Sequence, residues 1–182
     1  MRKPTFLLLL GALVNTATLS AQTFTLKSND IGGQATNKQW ANTFGAHGDN
    51  ISPELHWENA PAGTQAFAVI MYDKDAPTGS GFWHWLAFNI PASVTELRAD
   101  AGNLSKNLAP AGTIQSNNDA GMPGYLGPAP PPGPIHEYII TVYALKTKIA
   151  LDKTAGPALV GFYLNANVIE KASIVMYAQN KN

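Results

Sequence analysis

The chain has 182 residues, with 12 basic and 12 acidic side chains, 4 His and no Cys. That length fits one domain, large enough to bury a core without covalent staples. The lack of Cys excludes a disulfide framework and an anchor through a lipid-modified Cys, and the absence of any basic patch argues against nucleic acid as a partner.

The first stretch, MRKPTFLLLLGALVNTATLSAQ, has the layout of a secretory signal peptide. Arg2 and Lys3 precede an apolar run, Phe6 to Val14, that is too short to span a bilayer, and small residues follow at Thr18, Ser20 and Ala21. A cut near residues 20–22 leaves 22–182 as a single domain with 10 basic against 12 acidic side chains, a net charge of about −2. No later segment is apolar for long enough to cross a membrane. The expected location is therefore the periplasm or the medium.

Three short apolar runs then read as strands: Ala66–Tyr72, Trp83–Ile90 and Tyr138–Leu145. They are rich in β-branched and aromatic residues and bounded by Pro, Gly, Asp or Asn. Two are nearly continuous in hydrophobicity, which points to a sheet covered on both faces. Thr23–Lys27 and Ser173–Ala178 are expected as flanking strands. Gly156-Pro157 opens a helix, with Pro at the first helical position. Leu159, Phe162, Ala166 and Ile169 recur along it at spacings of three and four, giving an apolar face that should dock on the core. Residues 99–137 are rich in Pro and Gly. A long irregular segment in a compact domain is usually functional or disordered. The Pro run from Pro128 to Pro134 favours an ordered, binding loop.

Asp73 and Asp75 follow the first apolar run, and alternation along an extended chain should point both carboxylates to one side. The Ala76-Pro77 bond is a candidate for cis. His84 lies early in the second run. His136 and Tyr138, two apart on the third strand, should share a face. Taken singly, a solvated turn or a structural His explains each of these.

Their order along the chain is more specific. Ser52-Pro53-x-Leu55-x-Trp57 is followed by Pro61-x-Gly63-Thr64, Asp73-x-Asp75-Ala76-Pro77-Thr78-Gly79, Phe82-Trp83-His84-Trp85, Asn89-Ile90-Pro91, and then the element from Tyr125 to Tyr138. This series resembles the phosphatidylethanolamine-binding protein family, in its bacterial Raf kinase inhibitor-like branch, from about Phe24 to the C-terminus. The resemblance implies a mainly β fold: an antiparallel β-sandwich with a few peripheral helices. It also implies a pocket for a small anionic or phosphorylated group, such as a phospholipid head group, lined by Asp73, Asp75, His84, Pro131, His136 and Tyr138. Trp57, Trp83 and Tyr125 are candidate wall residues. Lys74 and Glu137 depart from the residues typical of the family and change the charge at the rim.

Two carboxylates should repel a phosphate. They could instead orient and charge the two His rings, whose N–H groups then meet the anion. Affinity for an anion is then expected to rise as pH falls through the ordinary His range. No catalytic residue, cofactor or metal is expected. The alternatives are a module that recognises or inhibits a protein partner such as a peptidase, and a metal-dependent hydrolase built on the two Asp and two His. A homodimer stays open.

Overall fold

The computed structural model describes residues 22–181. The expected signal peptide, residues 1–21, lies outside the described residues. Eight strands and one α-helix follow in chain order: β1 (Thr25–Lys27), β2 (Leu55–Glu58), β3 (Ala66–Asp73), β4 (Phe82–Pro91), β5 (Glu96–Leu97), β6 (Ile114–Gln115), β7 (His136–Leu145), α1 (Pro157–Asn167) and β8 (Val168–Ala178). Leu104–Lys106 form a short 3-10 turn.

The strands make two antiparallel sheets, β1-β2-β5 and β6-β4-β3-β7-β8. The small sheet covers one face of the large one. Between them lies a core of Leu26, Leu55, Trp57, Phe67, Val69, Met71, Trp85, Ile140, Val142 and their neighbours. The alternate residues of the same strands, Ala68, Ile70, Leu86, Phe88, Tyr143 and Leu145, face the other way. They meet Val160 and Leu164 of α1 in a second core. This explains the nearly unbroken hydrophobicity of β3 and β4, whose side chains are buried whichever way they point. The sheet is antiparallel, so burial on both faces comes from the second layer and the helix, not from parallel crossovers.

Pro157 stands at the start of α1, as expected. The helix does not dock by the expected face. Leu159 and Phe162 are exposed, Ile169 has passed into β8, and Val160 and Leu164 are the buried pair. The helix is apolar almost all round (PALVGFYLNAN), so periodicity could not single out one stripe. Val160 and Leu164, one turn apart, pack over the face of the large sheet that runs from β4 to β7.

Apart from the 3-10 turn and β6, residues 98–135 are irregular, and a second irregular segment, residues 36–52, orders them. The Ala41 amide donates to the Pro128 carbonyl (3.0 Å), the Tyr125 hydroxyl to the Gln39 carbonyl (3.0 Å) and the Gly127 amide to Asn50 Oδ1 (2.8 Å). Gly127 is what lets the two backbones approach. A Cβ there would collide with the Gln39 carbonyl oxygen and the Ala41 amide nitrogen. Gly127→Ala is therefore expected to cost about 1–3 kcal/mol, since backbone on both sides must give way. A denaturant midpoint unchanged from wild type would contradict this packing.

Candidate functional site

The ends of β3, β4 and β7 meet the 126–131 loop around one pocket of about 200 Å³. Its polar groups are few. Asp73 closes β3 and pairs across the sheet with Tyr138 of β7 and Phe82 of β4. The His136 Nδ1 lies 2.8 Å from Asp73 Oδ2, and both side chains are almost wholly buried. The other carboxylate oxygen of Asp73 accepts the Asp75 amide at 2.9 Å. Nδ1 faces an anionic acceptor, so it carries the proton, and Nε2 is the ring's remaining polar atom.

A β-bulge delivers His84. Tyr72 pairs with Trp83, yet Met71 pairs with Trp85, so His84 is an extra residue on β4. In a regular strand Trp83 and Trp85 would share a face. Here Trp83 packs towards α1 and Trp85 enters the inter-sheet core, while His84 turns to the pocket between Phe82 and Tyr138. Bulges commonly re-aim a side chain beside a site in this way. His84 is clamped to the loop at two points: its Nδ1 lies 3.0 Å from the Leu126 carbonyl, and its own carbonyl accepts the Leu126 amide at 3.1 Å. Burial pushes its pKa down to about 4, against weaker raising effects from the Leu126 carbonyl and Asp73. The ring is therefore neutral at pH 7, with the proton on Nδ1 and a bare Nε2. This corrects the expectation for His84: it does not gain charge in the ordinary His range, because desolvation outweighs the carboxylate. Burial, followed by the Asp73 charge, likewise drives the Tyr138 phenol far up, so its hydroxyl keeps its proton.

Of the residues expected to bind, Asp73, His84, Pro131, His136 and Tyr138 line the pocket. Asp75 does not. Its amide bonds to Asp73, but its carboxylate turns to the rim, where it accepts the Glu137 amide (2.8 Å) and the Lys74 ammonium (3.0 Å). Those bonds hold its pKa below the usual carboxylate range, the Glu137 amide contributing most. The turn after Asp73 breaks the alternation that would have kept both carboxylates on one side. The peptide bond before Pro77 is trans, since no described residue has a cis bond.

The three aromatic wall candidates also lie elsewhere. Trp57 is in the small sheet, packed on Phe67 with ring centroids 5.1 Å apart. Trp83 packs on Tyr72 towards the helix side of the sheet. Tyr125 is buried behind the loop with its ring edge on Trp85. The actual walls are Ala76, Pro77, Thr78, Phe82, Leu126, Ala129 and Pro130, with Phe44 at the mouth. Phe82, two residues before His84, could have been found by strand alternation. Phe44 carries no local signal. Among the described residues, no group of three or more His, Cys, Asp or Glu is placed to hold a metal ion.

The profile of the family described as "Phosphatidylethanolamine-binding protein" matches residues 27–179. The chain belongs to the phosphatidylethanolamine-binding protein family. Among similar proteins, Escherichia coli K12 YbcL is 46% identical over 173 residues, covering 92% of this chain and 94% of its own. YbhB of the same organism is 44% identical over 152 residues, covering 82% and 96%. The crystal structure of YbcL, described as a new member of the mammalian family, superposes with a TM-score of 0.85 at 47% identity, over 87% of this chain and 99% of that one. A Mycobacterium tuberculosis relative with a provisional lipoprotein name, LppC, is 34% identical over 113 residues, covering 62% of this chain and 52% of its own. The family's antiparallel sandwich is thus the fold of this chain. Its motifs at Asp73–Gly79, Phe82–Trp85 and Tyr125–Tyr138 meet at the pocket end, while Pro61–Thr64 and Asn89–Pro91 lie at the opposite ends of β3 and β4.

Proposed function

We propose that this protein is an exported binding protein, not an enzyme, whose pocket takes a small anionic or phosphorylated group such as a phospholipid head group. The observation that supports this best is the buried Asp73–His136 pair in a pocket with no Lys or Arg on its lining. A lone carboxylate there would repel an anion. Paired, its two oxygens are occupied by the His136 ring and the Asp75 amide. In its doubly protonated form His136 would offer Nε2–H to an anionic oxygen. The bare Nε2 of His84 accepts, so it suits a protonated phosphate oxygen or the ammonium of a head group. Export rests on the layout of the first 21 residues and on the lipoprotein name of a relative.

Native mass spectrometry of full-length protein from its own host tests the reading. A mass excess matching a phosphorylated small molecule is expected, and it should be absent from His136→Ala. Recovery without any adduct, together with no calorimetric binding of inorganic phosphate, would overturn it.

A further inference from the structure

Phe44 is an exposed aromatic residue held in a strained conformation at the mouth of the pocket. The residue is 68% exposed and belongs to neither core. Thr43 to Ala46 form a tight turn closed by the Ala46 amide on the Thr43 carbonyl (3.0 Å), with positive φ at both central residues, Phe44 (53°) and Gly45 (80°). Such a turn strongly favours Asn, Asp or Gly at its first central position. A bulky residue there is an outlier. The base of the loop is fixed: the Gly48 amide bonds to the Ala41 carbonyl (2.7 Å), and the Ala41 amide to the Pro128 carbonyl of the pocket loop. The ring is thereby held over the cavity, facing a collar of Pro77, Pro130 and Pro131. Strain retained without a packing reason is the kind found at ligand clamps.

The volume points the same way. About 200 Å³ is room for more than one small group. A phosphate is much smaller than that. The space left over is bounded by Ala76, Phe82, Leu126 and the Pro collar, which offer an anion no partner but suit an apolar group.

We propose that Phe44 is a specificity-determining residue: it covers an apolar arm attached directly to the bound anion, so the pocket selects alkyl or aryl phosphate monoesters over inorganic phosphate. This rests on the anion-binding reading above. Calorimetry with inorganic phosphate and phenyl phosphate tests both. For wild type, phenyl phosphate is expected to bind at least tenfold more tightly, and in Phe44→Ala that preference should fall to within about threefold. His136→Ala should lose both ligands, which ties both to the same pocket. Phe44→Gly should melt no lower than wild type, because Gly relieves the turn and no core contact is lost; a clear drop would make Phe44 a packing residue and overturn the assignment. Equal affinity for the two ligands in wild type, or a preference that survives Phe44→Ala, would overturn the inference and leave the anion pocket standing. Failure of either ligand to bind wild type would overturn both.

Discussion

Replacing Asp73 by Ala is expected to destabilise the fold by about 3–5 kcal/mol, because two donors, the His136 ring and the Asp75 amide, each lose a carboxylate acceptor worth about 1.5–3 kcal/mol. Both side chains of the Asp73–His136 pair are almost wholly buried, so water cannot take over the lost hydrogen bonds. Asp73→Asn should be milder, about 1–3 kcal/mol. Each carboxylate oxygen accepts one donor, from the Asp75 amide and from the His136 ring. Asn has one acceptor oxygen, so its NH₂ must face one of these donors. His136→Ala should also be costly, because it strands a buried carboxylate. The double variant Asp73→Ala/His136→Ala should lose less than the sum of the two, since neither group is then unpaired. Chemical denaturation of the four proteins gives the coupling. Additive losses would mean that the pair holds the pocket together through packing alone.

The three central strands were legible because cover on both faces leaves a continuous apolar run. β2 was not, because Leu55–Glu58 is four residues long and gives little pattern. β5 and β6 have two residues each, and their partners, not their own sequence, make them strands. The same limit applied at the site. Asp73, His84, His136 and Tyr138 were found through motifs that follow one another along the chain. The bulge that turns His84 inward depends on the register between β3 and β4, which no local pattern encodes. Trp57, Trp83 and Tyr125 sit close to the motifs in sequence, but a strand alternates its faces, and each aromatic ring was claimed by packing away from the pocket. Phe44 reaches the pocket only because residues 36–52 grip the 126–131 loop through Ala41 and Asn50.

His84 makes the stability of the protein sensitive to mild acid. Its pKa is about 4 in the folded state, against the ordinary 6.5 of an exposed His. Between those values the unfolded chain binds a proton that the folded chain refuses, so stability rises with pH across the window. The contribution is complete above pH 6.5, shrinks as pH falls, and is fully lost once pH passes below about 4. The whole span is worth about 3 kcal/mol, and about 2 kcal/mol is lost between pH 7 and pH 5. Carboxylates in general titrate near the lower end of the same range, so the informative quantity is a difference between proteins. In His84→Gln the ring is gone and this slope should vanish. Wild type should therefore lose about 2 kcal/mol more than His84→Gln on going from pH 7 to pH 5, as read from urea midpoints with unchanged m-values. A matched loss in the two proteins would mean that His84 already carries its charge in the fold. The pocket would then offer a cation at neutral pH, and the preference argued for a ligand that donates to Nε2 would have to be abandoned.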